Sequence, residues 1–179
     1  ICIFYLKKNN KNLDFLSVIG QCLFHERNYD EAIKIFENIL HIDPKNLAAL
    51  NSLARTYHQK RDKIKAEEYY LKALKIDKLS FYLLNNIAGF YREESSYDKA
   101  IDYYKQALSI NANNAYIYNN LAKIYFDLND HKKAIENSFK ALKMKNNDGD
   151  IQKTISFIYL KDHDFENGWN YFDGRLDLE

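Results

Sequence analysis

The sequence predicts an all-α solenoid of antiparallel helix pairs. Three observations carry that prediction. Residues of one type recur every 34 positions, as in Ala32, Ala66, Ala100 and Ala134, with Gly168 continuing the row. Apolar residues fall at i, i+3, i+4 and i+7, as in Leu84, Ile87, Ala88 and Tyr91, which is one face of a helix. One proline and five glycines leave too few breakers for a β-rich chain with many turns.

Further rows keep the same step. Leu23, Tyr57, Tyr91, Tyr125 and Tyr159 form one, and Gly20, Ala54, Ala88, Ala122 and Ser156 form another. Each 34-residue unit reads as two helices. Asn12, Asn46, Ser80, Asn114 and Asp148 stand before the first helices, and Asn28, Asp62, Ser96, Asp130 and Asp164 before the second. All ten are preferred N-caps, whose side chains accept bonds from the free N–H groups of the first turn. Connections of a few residues make the paired helices antiparallel. The expected organisation is a truncated repeat represented by its second helix over 1–11, then repeats over 13–46, 47–80, 81–114 and 115–148, and a degenerate fifth over 149–179. Small residues let the helices approach, and aromatic residues fill the space beside them. Phe36, Tyr70, Tyr104 and Phe172 lie four positions after the small row of the second helix; Ser138 interrupts that row, with Phe139 as its expected substitute. Arrays need capped ends for solubility. No polar capping helix follows the fifth repeat, so the natural protein is expected to continue past both ends.

Composition narrows the function. Lys and Arg number 26 and Asp and Glu 25, a net charge of +1, so no nucleic-acid partner is expected. Cys2 and Cys22 make no disulfide framework, which points to a reduced, cytoplasmic setting. No apolar run approaches the roughly 18 residues of a membrane span, so no membrane partner is expected. The chain holds no GxxxxGK and no GxGxxG phosphate loop. Nothing sets a nucleophile beside a base, so this chain is not expected to be an enzyme. Cys22 and His25 form an i, i+3 pair without further ligands; the expectation is a core thiol and a surface imidazole, with no metal and no cofactor.

The rows resemble the tetratricopeptide repeat (TPR) family. Its pattern of a small residue and Tyr in the first helix, then Ala, aromatic and Ala in the second, is met by Ala54, Tyr57, Ala66, Tyr70 and Ala73. Ala88, Tyr91, Ala100, Tyr104 and Ala107 meet it again. The resemblance implies a right-handed superhelix with a concave groove that binds proteins or extended peptides without catalysis.

The family places binding residues on the first helices. Mapped onto this chain, the expected peptide-binding residues are Asn51, Ser52, Arg55, Tyr82, Asn85, Asn86, Arg92, Tyr116, Asn119, Asn120 and Lys123. The pairs "NS", "NN" and "NN" recur at one place in three consecutive repeats. An amide offers donors and an acceptor, which suits a peptide backbone. The alternative is that one Asn of each pair braces neighbouring helices. Tyr82 and Tyr116 are expected to add apolar contact, and Arg55, Arg92 and Lys123 to attract acidic groups. The asparagine ladder is similar to that of O-linked N-acetylglucosamine transferases. The chaperone-tail clamp of the family is a poor match, because Asp14, Ser17, Val18 and Gln21 supply neither its Lys nor its Asn. The segment "GWNYFDGR" over 168–175 resembles the ending of bacterial TPR arrays that precede a glycosyltransferase domain, through Gly168, Trp169, Tyr171 and Arg175. The contrary expectation is that Trp169 fills the slot of Ile33, Ile101 and Ile135. The leading function is thus a non-catalytic binding scaffold. The alternatives are the substrate-recognition region of a larger glycosyltransferase and a module for homo-association through the array ends.

Overall fold

Asn12, Asn46, Asn114 and Asp148 each turn a side-chain oxygen onto free N–H groups of the following turn, and a helix starts after each. A computed structural model describes residues 12–172. Among the described residues there are ten α-helices and no strand. The first helices of the repeats are α1 (Leu13–His25), α3 (Leu47–Gln59), α5 (Phe81–Glu93), α7 (Ala115–Asp127) and α9 (Gly149–Lys161). The second helices are α2 (Tyr29–Ile42), α4 (Lys63–Ile76), α6 (Tyr97–Ile110), α8 (His131–Met144) and α10 (Phe165–Phe172). The second helix expected over 1–11 lies outside the described residues, as do positions 173–179 of the fifth repeat.

The chain divides into two units, Ile1–Leu83 and Leu84–Glu179, with the boundary inside α5. In the first, α1 packs on α2, α2 on α3 and α3 on α4, and the first helices α1 and α3 also touch. In the second, α6 packs on α7, α7 on α8, α8 on α9 and α9 on α10, and α7 touches α9. α1 and α7 thus each face their own partner and the next repeat's first helix.

The small rows are where helices meet. Ala32, Ala54, Ala66, Ala88, Ala100, Ala122 and Ala134 are all fully buried. Gly20 holds this row in the first repeat because Phe36 takes the space: a Cβ there would lie 2.5 Å from the ring. In the fifth repeat the Ser156 hydroxyl donates to the Gly168 carbonyl at 2.8 Å. Beside the small residues the tyrosines stack in pairs across three of the hairpins. Tyr57 stacks on Tyr69 and Tyr91 on Tyr103 at 5.5 Å, and Tyr159 on Tyr171 at 5.9 Å. A lysine eight residues on covers the first tyrosine: Lys65 over Tyr57, Lys99 over Tyr91 and Lys133 over Tyr125, at 4.9, 4.7 and 5.3 Å.

The turn inside each repeat is built the same way five times. Arg27, Arg61, Ser95, Asn129 and His163, again 34 apart, are left-handed, with φ between 57° and 65°. In the second repeat Arg61 N–H donates to the His58 carbonyl and Asp62 N–H to the Tyr57 carbonyl, both at 2.9 Å. This Schellman pair closes the first helix. Asp62 then caps the second by accepting from Lys65 N–H at 3.1 Å. One residue thus ends one helix and starts the next.

Four expectations are corrected. Side-chain capping appears at eight of the ten helix starts and is absent at Asn28 and Ser96. Asp62, Asp130 and Asp164, at the same place in other repeats, do cap. Before α2, α4, α6 and α8 the cap ψ is 63–79°, against 99–112° before α1, α3, α7 and α9, where Asn caps as well as Asp. At the lower ψ only the carboxylate, the stronger acceptor and one favoured at a helix N-terminus, makes the bond. Cys22 is exposed rather than in the core, because Leu16, Ile19 and Gly20 set the buried face of α1. Phe172 is 46% exposed, whereas Phe36, Tyr70 and Tyr104 in its row are buried. Trp169 is 55% exposed and does not fill the slot that buries Ile33 and Ile101. No described helix lies beyond α10 to cover these two rings, and they meet edge to face at 5.6 Å. Ser138 is fully buried, and Phe139 is half exposed with its edge on Tyr171 at 6.0 Å.

Candidate functional site

The residues expected to bind a peptide sit on α3, α5 and α7, at positions that the small and aromatic rows leave free. In the second and fourth repeats the two positions of the pair differ in depth, whereas Asn85 and Asn86 in the third are both half-buried. Asn51 and Asn119 are 6% and 2% exposed. Ser52, Asn85, Asn86 and Asn120 are half-buried. Asn119 is engaged inside the second unit, where its Nδ2 donates to Asp150 Oδ2 at 2.7 Å, and its Oδ1 is buried without a partner. The deeper position is therefore a helix-to-helix contact from α7 to α9. The shallower one is half-buried.

In the first unit two adjoining hollows open on the first helices. One, of about 160 Å³, is lined by Gln21, Phe24 and His25 of α1 and by Asn51, Ser52 and Arg55 of α3, with Tyr82 at the start of α5. The Arg55 guanidinium lies over the Phe24 ring at 5.0 Å. The second hollow, of about 170 Å³, is mostly apolar and shares Ala48, Asn51 and Tyr82 with the first. Tyr82 is 60% exposed between them.

The second unit carries a larger pocket, of about 580 Å³. Arg92 comes from the end of α5, Lys123 and Phe126 from α7, and Asp150, Lys153 and Phe157 from α9. Arg92 Nη1 donates to Asn120 Oδ1 at 3.2 Å. Lys123 Nζ donates to Asp150 Oδ2 at 2.7 Å. The Thr154 hydroxyl donates to the Asp150 carbonyl, and the Tyr97 hydroxyl to Asp127 Oδ2 at 3.3 Å. Lys161 covers Phe126 at 4.4 Å, whereas Phe157 is half exposed. The three cations are matched by Glu93, Asp127 and Asp150 in the same wall, so the pocket carries no net charge.

Tyr116 is exposed, and its ring carries Lys145 at 4.4 Å. The Lys145 ammonium also donates to the Tyr116 hydroxyl and to Asp148 Oδ2. The bond to Asp148, then that to Tyr116, holds the ammonium well above its ordinary pKa, and the Asp148 carboxyl is held low by the same bond. Asp150, Lys153 and Phe157 were outside the expected set. They continue the rows of Tyr116, Asn119 and Lys123 into the fifth repeat, so that carrying those rows one repeat further finds them. Gln21 precedes Arg55 in its row in the same way. Cys22 and His25 are both exposed, and among the described residues no three His, Cys, Asp or Glu side chains gather to hold a metal.

A family model described as tetratricopeptide repeat matches residues 15–78 and 80–147. The chain is similar in fold to the PilF protein of Pseudomonas aeruginosa, with a TM-score of 0.82 and 22% identity over 93% of this chain and 76% of that one. It is also similar to a tetratricopeptide repeat protein from Parabacteroides merdae, with a TM-score of 0.79 and 17% identity over 97% and 68% of the two chains. MamA of Desulfovibrio magneticus RS-1, from its residue 41 to the end, gives 0.78 and 16% over 93% and 94%. No curated protein matches the sequence.

Proposed function

Because the chain belongs to the tetratricopeptide repeat family, we propose that it is a non-catalytic scaffold that holds a protein or extended peptide against the first helices of its repeats. The observation that supports this reading most is where the open pockets lie. In each unit they open on the first helices: one hollow is lined by Gln21, Asn51, Ser52 and Arg55 beside Phe24 and Tyr82, the other by Arg92, Lys123 and Asp150 beside Phe126 and Phe157. An extended chain presents one donor and one acceptor per residue. Ser52, Asn85, Asn86 and Asn120 offer the complementary groups, Tyr82 and Tyr116 offer apolar faces, and Arg55, Arg92 and Lys123 stand among them. In this reading Asn51 and Asn119 brace the helices that present the others. No described helix is long and apolar enough to cross a membrane, and we read the setting as cytoplasmic from the two cysteines.

Probing an array of immobilised unstructured peptides tests this. The protein is expected to bind a reproducible, sequence-related subset. Asn86→Ala with Asn120→Ala should weaken that binding by about tenfold, one or two hydrogen bonds' worth. Helicity and melting should stay close to wild type. Absence of selective binding, or binding indifferent to both changes, overturns the reading.

One observation favours the glycosyltransferase alternative. Trp169 stands exposed beside Phe172, so the segment that resembles the glycosyltransferase-linked arrays does not merely repeat an aliphatic core slot. Reading the coding sequence beyond Glu179 for a catalytic domain decides it.

A further inference from the structure

The smaller polar hollow of the first unit differs in charge from the large pocket of the second. Its wall offers N–H or O–H donors from Gln21, His25, Ser52, Arg55 and Tyr82, and among the described residues no Asp or Glu lines it. Among the described residues Arg55 pairs with no carboxylate, whereas Lys123 in the second unit is bound by Asp150. The Phe24 ring attracts the guanidinium through its π face, 5.0 Å away, and accepts none of its N–H groups as a carboxylate would.

We propose that this hollow receives the carboxylate of a glutamate or aspartate side chain from an extended peptide, with Arg55 as its counter-ion and the amides and hydroxyls around it as further donors. The proposal rests on the scaffold reading above and names the chemistry of the bound chain. One permanent cation matches one negative charge. A phosphate, carrying nearly two, would leave charge unmet. The space, about 160 Å³, suits a side chain. The adjoining apolar hollow, bounded by Leu47 and Leu83, takes a large apolar side chain next to the acidic one.

The test is a titration of the isotope-labelled full chain, followed by backbone amide shifts, with four short probes. They are acetyl-Leu-Glu-Leu-amide, its Gln analogue, its phosphoserine analogue, and acetyl-Leu-Gln-Leu with a free C-terminal carboxylate. The Glu peptide is expected to bind about fivefold tighter than the Gln peptide, the scale of an exposed ion pair, and tighter than the other two. Its shifts should centre on Gln21, Ser52 and Arg55. Arg55→Gln, an exposed substitution, should abolish the Glu-over-Gln preference without changing the melting temperature. Equal binding of the Glu and Gln peptides overturns the proposal while leaving the scaffold reading intact. A preference for phosphoserine or for the free C-terminus, a preference that survives Arg55→Gln, or no binding of any probe also overturns it. The peptide array judges the scaffold reading separately.

Discussion

Ser138 is the residue at which the repeat pattern is least content. It occupies the place of Phe36, Tyr70 and Tyr104, it is fully buried, and its hydroxyl has no partner. A buried hydroxyl without a hydrogen bond costs about 1–3 kcal/mol. Ser138→Ala is therefore expected to raise unfolding stability by about 1 kcal/mol, visible as a higher urea midpoint with unchanged slope. A fall in the midpoint would show that the hydroxyl has a role in the fold. The tyrosines give a second residue-level signature. Burial, helped by Glu37 beside Tyr57 and Glu93 near Tyr104, pushes both hydroxyls up to about 12. Their folded pKa is raised, so the stability they contribute is complete below about pH 10 and is lost as the pH climbs toward 12. In an alkaline titration the first phenol ionisation should fall near the ordinary value, about pH 10. Tyr57 and Tyr104 should follow only about two units higher, with loss of helicity. Phenolate absorbance and circular dichroism, read on one sample, check the order. Ionisation of all 15 tyrosines in one step near pH 10 would contradict it.

At the scale of the element, helix starts were readable to the residue and helix ends were not. The ten pre-helix residues announce themselves by type, and each helix begins on the next position. The turn that closes each first helix requires a left-handed residue, for which Gly or Asn is the usual signal. This chain puts Arg, Arg, Ser, Asn and His there, so composition hides the turn and only the 34-residue step betrays it. Capping was readable by position but not by strength. Asp62 and Asp130 reach the N–H group three residues on, and Ser96 does not. Ser96→Asp should therefore stabilise the protein by about 0.5–1 kcal/mol, measured by thermal or urea unfolding at neutral pH. The gain should fade below about pH 4, as the new carboxyl is protonated. An unchanged stability at neutral pH would mean that the turn geometry, and not the acceptor, withholds the cap.

For the whole molecule, repetition made the architecture legible and the site only half so. Rows of equal spacing identify which positions share a face, and the amide pairs on α3, α5 and α7 could be located from spacing alone. Depth could not. Asn119 is buried because Asp150 and Lys123 close over it from two helices, and Asp150 belongs to a different repeat from either. Nor could charge be judged from a list of cations. Lys123 is matched by Asp150, whereas among the described residues Arg55 pairs with no carboxylate and Arg92 bonds a neutral amide. The five left-handed turns hold one further consequence. They keep one hydrogen-bond pattern and nearly one dihedral angle while the side chain at the critical position changes from arginine to serine, asparagine and histidine. The protein thus contains its own host–guest series. A single hydrogen-exchange experiment on one sample ranks four guests in a common host, with temperature, solvent and fold held constant.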